Sequence, residues 1–555
     1  MQFLLPFIVA MVVTMASLPL FVRLANRWLL VDQPGERKVH SLPIPRIGGL
    51  AMACGVLVAA ILIVKLQGQY RWFLAGAATL TIFGALDDRF DLDYRVKLLG
   101  QVLAVSFVVL FGQIHIQTIT LEDRIVLPDW LSVPLTFFFL VGVTNAINLA
   151  DGLDGLAGGT IFLCLCAIAL LSKLGDSTTT TALALTFAGA ILGFLRFNTY
   201  PASVFMGDAG SQLLGFATGV LSVHVTQTAT TQLSAALPIL LLALPILDTT
   251  SVMVQRIADG RSPFSADKNH IHHKLLALGF QQHEAVMLIY VIQATLFVIA
   301  YFMRYQSDLQ IVAVVIGFFV LFIATMQAAA RFGWRVRQHS THVQAPPLSA
   351  SSASSATGHA ISKHGAGSLP ALTYVALAVG LGVYSTLIIV DTAAKMTGDI
   401  RLLVCILLVM AASMLAVMRM APLSIIEKAV IYVTATVIVY MDATLLPSSS
   451  LLSILSWTAV GVAAVATAIR LRLFSDRRFE LTPLDVIVLF MALVVPNLPG
   501  TLGLPHGGAL AIAKLVVVFY AVEMLINRSP DGTIWVRIGL ISVLGGLIFR
   551  SCFAQ

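Results

Sequence analysis

Two adjacent carboxylates, Asp87 and Asp88, end an apolar run and are followed by Arg89, Asp91, Asp93, Arg95 and Lys97. Further along, Asn145, Asn148, Asp151 and Asp154 recur every third residue, interleaved with Gly152, Gly155, Gly158 and Gly159. Phe205-Met206-Gly207-Asp208 opens another apolar run, and His270-Ile271-His272-His273 closes a loop that also holds Arg261, Asp267 and Lys268. An ionisable group at membrane depth costs roughly 3 kcal/mol unless water, a metal or a partner receives it, so each cluster is a candidate functional site. The amides and acids at every third position make a polar stripe along a helix end, and the glycines beside it let a ligand come close. An aspartate in the first turn of a helix sits where backbone N–H groups and the dipole attract anions, and there it can cap the helix or hold Mg²⁺ beside a phosphate. Histidines among cations suit phosphate. They also allow zinc, although neither a cysteine nor HExxH spacing accompanies them. Together the clusters point to metal-assisted phosphate chemistry at a membrane surface.

Each cluster has a plainer reading when taken alone. Asp87-Asp88 can be the charged end of a membrane helix, the Asn-Asp-Gly stretch a turn, Asp208 a helix cap, and the histidine segment a solvated basic loop. A turn does not require two amides and two acids in register, and the acid pair gains weight from its companions.

The elements that must position these groups are membrane helices. Of 555 residues, 58% are hydrophobic and 11% charged, against about 25% charged in soluble domains. The fold class expected is an all-α polytopic membrane protein. About eleven apolar runs in the first 335 residues and about seven after residue 370 are long enough to cross ~30 Å of hydrocarbon as helices. The first run lacks a preceding basic residue and a small-residue cleavage site, so it reads as a retained helix. The five cysteines show neither disulfide nor zinc spacing. Between Trp334 and Leu369 the composition turns to Ser, Ala, His and Gly, as in a flexible linker. The expected division is a membrane domain carrying the chemistry over 1–335, a cytoplasmic linker over 336–370 and an accessory membrane domain over 371–555.

Counted alternately, one set of loops holds Arg37, Lys38, Arg46, Arg89, Arg95, Lys97, Arg196, Arg256, Arg261, Lys268 and Lys274, and the other holds few basic residues. The crowded side is expected to be cytoplasmic, and all four clusters fall on it. There they can meet soluble nucleotide-activated substrates and, at headgroup level, a lipid phosphate. Arg37, Lys38, His40 and Arg46 can greet an anionic headgroup or enforce topology. The competing class is a transporter or flippase of lipid-linked sugars, but a carrier would place ionisable groups near the bilayer midplane and on both sides.

The motifs, in order, are Arg37-Lys38-x-His40 with Pro45-Arg46-x-Gly48-Gly49, and Asp87-Asp88-Arg89-Phe90-Asp91-Leu92 with Lys97-Leu98-Leu99-x-Gln101. Next come Asn145-x-x-Asn148-x-x-Asp151-Gly152-x-Asp154-Gly155, Asn198 with Phe205-Met206-Gly207-Asp208, and Ser262-Pro263-Phe264 leading to Asp267-Lys268-x-His270-Ile271-His272-His273. This set closely resembles the polyprenyl-phosphate N-acetylhexosamine-1-phosphate transferase family, glycosyl transferase family 4, over roughly residues 1–335. Pro45-Arg46-Ile47-Gly48-Gly49 and the histidine segment resemble the branch that uses simple UDP-N-acetylhexosamines, not the one that transfers a phospho-MurNAc-pentapeptide.

The resemblance implies a UDP-N-acetylhexosamine donor, most often UDP-GlcNAc, an undecaprenyl phosphate acceptor, and Mg²⁺ or Mn²⁺ as cofactor. It places the chain among the lipids of a bacterial cytoplasmic (inner) membrane, active site to the cytoplasm, without nucleic-acid partners, and leaves the oligomeric state open, a homodimer being one form. The product would start O-antigen, teichoic acid or capsule-like polysaccharide synthesis. Carried over residue by residue, Asp208 is the metal ligand, and Asp87 and Asp88 lie near the metal and the attacking phosphate, with Asp88 the favoured base if either is one. Asn148, Asp151 and Asp154 shape the nucleotide pocket, Phe205 stacks on uracil, and Lys268, His270, His272 and His273 hold phosphate or sugar groups. Lys97 and Asn198 support them, while Lys38, His40, Arg46, Asn145 and Arg261 complete the substrate-binding set.

Overall fold

The computed structural model describes residues 3–33, 43–64, 68–121, 123–228, 231–262, 269–336, 368–396, 398–417 and 451–473, parts of 430–442 and of 483–525, and 533–553. The chain forms two compact units. One comprises Met1–Phe332 with Ser424–Val433 and Leu481–Ile512, and the other Gly333–Leu423, Thr434–Glu480 and Ala513–Gln555.

In the first unit the apolar runs fold as helices because only a helix satisfies its own backbone in hydrocarbon. They are α1 (Leu4–Trp28), α2 (Gly48–Ile63), α3 (Gln69–Phe90), α4 (Tyr94–Ser106, continued by a π turn Phe107–Phe111), α5 (Asp129–Ala150), α6 (Leu156–Leu174) and α7 (Thr178–Asn198). Then follow α8 (Gly207–Gln227), α9 (Leu237–Leu241), α10 (Ala243–Ala258), α11 (Ile271–Ala277), α12 (Gln282–Phe302) and α13 (Asp308–Arg331). α6 is almost wholly buried and packs on α7, α8 and α12, whereas α13 leaves most of its apolar surface exposed, as a lipid-facing helix does. Eight helices among the described residues are long and apolar enough to cross a membrane.

The apolar run 233–254, long enough for one span, is two helices that break at Leu242. Pro245 has no N–H to give to the carbonyl of Leu241, four residues back, so the ladder is interrupted there. That carbonyl instead accepts from Gln293 Nε2 at 2.9 Å and from Cys164 Sγ at 3.3 Å. Two short antiparallel pairings complete the unit: β1 (Val31–Asp32) with β2 (Ile44–Pro45), and β3 (Thr118–Thr120) with β4 (Arg124–Val126).

The C-terminal ends of α1, α3, α5 and α7 and the N-terminal ends of α2, α4, α6 and α8 meet at one end of the unit, joined by the bonds described below. The opposite end is tied by Asp308, whose carboxylate accepts from the Thr120 and Ala236 N–H groups and from Ser234 Oγ.

In the second unit the described helices are Ser368–Thr392, Gly398–Val417, Leu451–Leu473 and Thr533–Phe553, with Leu377, Ala463, Ala466 and Ala521 in a common core. A buried ion pair crosses it, Lys514 Nζ to Asp442 Oδ2, to which Ser456 and Tyr384 also hydrogen-bond.

Candidate functional site

The site is assembled from helix ends. α8 starts at Gly207, whose φ of +68° admits glycine readily and other residues under strain. The N–H groups of Asp208 and Ala209, unpaired within α8, donate to the two oxygens of Asp88 at 2.8 and 3.0 Å. Asp88 sits so close that a Cβ on Gly207 would lie 2.4 Å from its Oδ2. α3 can bring it there because Gly84, one turn earlier, lets α8 approach: a Cβ at Gly84 would lie 2.4 Å from Ala209 Cα.

Asp87 points to the other side of this junction. Its Oδ1 accepts the Leu92 N–H at 2.8 Å, and its Oδ2 lies 2.7 Å from Lys97 Nζ. The same ammonium is 3.6 Å from Asp208 Oδ2, while Asp208 Oδ1 accepts from Asn148 Nδ2 at 2.6 Å. Asn148 also reaches Ser211 Oγ at 2.8 Å. Asp87 and Asp208 thus share one cation at the positive end of α8, an arrangement that keeps two like charges close only while a cation or proton lies between them.

Arg46 enters from the other flank. Phe205 donates its N–H to the Pro45 carbonyl at 2.8 Å, and Gly48 and Gly49 donate to the carbonyls of Phe205 and Met206, each at 2.9 Å. This zipper brings Arg46, paired with Asp32, within electrostatic reach of Asp88, Asp151 and Asp208. Asp151 ends α5. Burial first, and then the charges of Asp208, Asp88 and Asp154, push its carboxyl up to about 7, opposed by Arg46.

Asp154 and Asn198 hold the loop that leads to Phe205. Asp154 Oδ2 accepts the Ala202 N–H at 2.9 Å, and Asn198 accepts from Gly155 N and donates to Val204 O, each at 2.9 Å. Tyr290 donates to the Gly155 carbonyl at 2.6 Å and closes the turn from behind. Asn145 lies six residues before Asp151, its amide exchanging hydrogen bonds with Gln101 at 2.7 and 3.2 Å.

The histidine segment reaches the same end through Gly152, where a Cβ would lie 2.3 Å from His272 Nε2. His270 and His272 stack with ring centroids 5.7 Å apart at 8°, and His273 follows 4.3 Å from His272. Burial, with the neighbouring imidazoles, lowers the His272 pKa to about 4, so it is neutral near pH 7. His270 Nδ1 is 3.0 Å from Asp248 Oδ2, and Asp248 Oδ1 accepts the Ile271 N–H at 2.7 Å. Asp248 was not singled out from the sequence, although an acid inside the apolar run 233–254 is itself a signal.

Arg46, Asp87, Asp88, Lys97, Asn148, Asp151 and Asp208 therefore converge, Asp154 and Asn198 flank them, and His270, His272 and His273 adjoin through Gly152. Asn145 is engaged with Gln101, and Arg261 is exposed and pairs with Asp259 at 2.7 Å. Lys38, His40 and Lys268 lie outside the described residues.

Among the described residues no three His, Cys, Asp or Glu side chains form a metal cage. Hard divalent cations need only one or two carboxylates where a diphosphate completes the sphere. Asp208 Oδ2 and Asp87 Oδ2, turned toward one ammonium, suit that role.

The sequence model of glycosyl transferase family 4 matches residues 70–226, the stretch that supplies most of this cluster. The chain is 39% identical over 292 residues to the probable undecaprenyl-phosphate N-acetylglucosaminyl 1-phosphate transferase of Bacillus subtilis (strain 168), covering 52% of this chain and 80% of that protein. It is 38% identical over 312 residues to the decaprenyl-phosphate N-acetylglucosaminephosphotransferase of Mycobacterium leprae (strain TN), covering 51% and 78%. With the undecaprenyl-phosphate alpha-N-acetylglucosaminyl 1-phosphate transferase of Escherichia coli (strain K12) the identity is 30% over 332 residues, covering 57% and 89%.

Proposed function

Since this chain belongs to glycosyl transferase family 4, we propose that it transfers N-acetylglucosamine 1-phosphate from UDP-N-acetylglucosamine to undecaprenyl phosphate. A lipid phosphate oxygen attacks the sugar-bearing β-phosphorus, the bond to the α-phosphate oxygen breaks, and UMP leaves. One phosphoanhydride replaces another, so the reaction is nearly isoenergetic and reversible. Positioning and charge neutralisation carry the catalysis.

The observation that supports this reading is the convergence of Asp87, Lys97 and Asp208 at the N-terminus of α8, beside Arg46. Asp208, with Asp87, would hold Mg²⁺ or Mn²⁺, which supplies charge neutralisation at the donor diphosphate. Lys97 and Arg46 bring positive charge to the same place. Asp88, with both oxygens committed to backbone N–H groups, anchors Asp208. A lipid phosphate monoester, with a second pKa near 6, is already largely dianionic at neutral pH and needs no strong base. Asn148, Asp151 and Asp154 border the nucleotide, Phe205 stacks on uracil, and the histidine segment holds phosphate or sugar.

The cluster faces the cytoplasm of a bacterial inner membrane in this reading, where the nucleotide sugar is made, and the product starts an envelope polysaccharide. A cysteine at exposed Arg89 in a cysteine-free background should resist an impermeant thiol reagent until cells are permeabilised. The deciding experiment incubates membranes holding the full chain with undecaprenyl phosphate and radiolabelled UDP-GlcNAc or UDP-GalNAc. Lipid-soluble label with equimolar UMP from UDP-GlcNAc is expected, lost with EDTA and restored by Mg²⁺. Label entering sealed vesicles without UMP release would favour a carrier.

A further inference from the structure

The reaction as described leaves Asp248 without a task. It is buried on α10, flanked by Leu244, Pro245, Ile246 and Leu247, and both of its oxygens are engaged. A carboxylate oxygen can only accept, so the Asp248 Oδ2 contact at 3.0 Å puts a proton on His270 Nδ1. Nε2 is then the ring atom left for other chemistry. The Oδ1 bond to the Ile271 N–H fixes the start of α11, the helix that carries His272 and His273. Through the stacked rings and Gly152 the same carboxylate sets the histidine segment against the turn of Asp151 and Asp154.

Holding the Ile271 N–H alone would not call for this residue. A serine or asparagine accepts such a bond without the several kcal/mol that burying a carboxylate costs. The second oxygen is accounted for by His270.

We propose that Asp248 is a positioning residue for the transfer, holding the His270 ring so that its Nε2 is presented to the phosphate or sugar group of the donor. The inference rests on the reading of the histidine segment as a donor-holding element.

A double-mutant cycle on the full-length protein in membranes tests it, with UDP-GlcNAc and undecaprenyl phosphate as substrates. Asp248→Ala is expected to lower kcat about 10- to 100-fold. Asp248→Ala/His270→Ala should lose much less than the product of the two single losses, because the acid acts chiefly through that ring and only secondarily through the Ile271 N–H. Asp248→Asn preserves the shape and guards against misfolding, but its amide can accept from only one of the two donors, so its rate should also fall. Nitrogen-15 NMR of histidine-labelled protein should find His270 protonated on Nδ1 in the parent and altered in Asp248→Asn, a change that an acid holding only the Ile271 N–H would not produce. Losses that multiply in the double variant, or a parent His270 neutral with its proton on Nε2, overturn the proposal. If His270→Ala keeps the full rate, the donor-holding reading of the segment falls and the inference falls with it.

Discussion

Asp87, Asp88 and Asp208 are the same type of residue with three different tasks, and the difference lies in what each oxygen meets. Asp208 turns one oxygen to Asn148 and the other toward Lys97, which leaves it the best placed of the three to hold a cation. Asp208→Asn is therefore expected to lower transfer by roughly 10²-fold or more, and a fully active variant would remove Asp208 from the metal's ligands. Asp88→Asn puts an amide N–H against a backbone N–H of α8, so the rate should drop about 10- to 100-fold. Its pH–rate profile should keep the parent's acidic limb, and loss of that limb would restore Asp88 as the base.

Asp151 titrates differently. Its carboxyl is pushed up to about 7 in the folded chain, against about 3.9 when unfolded. Between those values the unfolded state binds fewer protons, so the contribution is present below pH ~4 and lost as pH rises toward 7. Without metal or nucleotide, the parent should lose more thermal stability between pH 5 and pH 8 than Asp151→Asn, by about 2 °C or more. Equal slopes in the two proteins would refute the assignment.

At the scale of elements, the junction of α3 and α8 depends on residues without side chains. Gly207 combines a positive φ with contact to Asp88, so Gly207→Ala should cost about 1–3 kcal/mol in strain and push Asp88 off the start of α8. Thermal unfolding and transfer rate should fall together, the rate by at least about tenfold. A stable Gly207→Ala protein with unchanged kcat would mean that the anchor is dispensable. The break between α9 and α10 follows from Pro245, whereas its repair by Gln293 could not be foreseen because α12 supplies it from 52 residues away.

Across the whole molecule, the groups of the acid cluster all precede residue 332, yet Ser424–Val433 and Leu481–Ile512 belong to the same unit. Phe490, for example, packs edge-on against Phe297 with centroids 5.2 Å apart. A chain ending at Gln338 should keep donor-dependent transfer in membranes but melt earlier, the lost aromatic pair alone contributing about 1 kcal/mol. A truncated protein that binds nucleotide but transfers nothing would assign catalysis in part to the later sequence. In the second unit, Lys514→Met strands the buried Asp442 and should destabilise that unit by about 3–5 kcal/mol. Lys514→Met/Asp442→Asn should recover much of the loss in a calorimetric melt, and no recovery would show that the pair is not coupled.

Apolar run length and the cost of charge at membrane depth are local properties, so the helical membrane class and the candidate acids were legible in the residues alone. Alternation of helix direction then sufficed to place Asp87, Asp151, Asp208 and His270 at one end. Which oxygen each carboxylate offers was not legible, because a hydrogen bond is set by the approach of elements distant in the chain. That Asp88 is occupied by α8, that Lys97 joins Asp87 to Asp208, that Asn145 is taken by Gln101 and that Asp248 holds His270 were decided by packing. α3 meets α8 closely because Gly84 leaves room, and the His272 ring meets the turn after α5 because Gly152 does, and that fit between surfaces has no counterpart in the periodicity of any one segment.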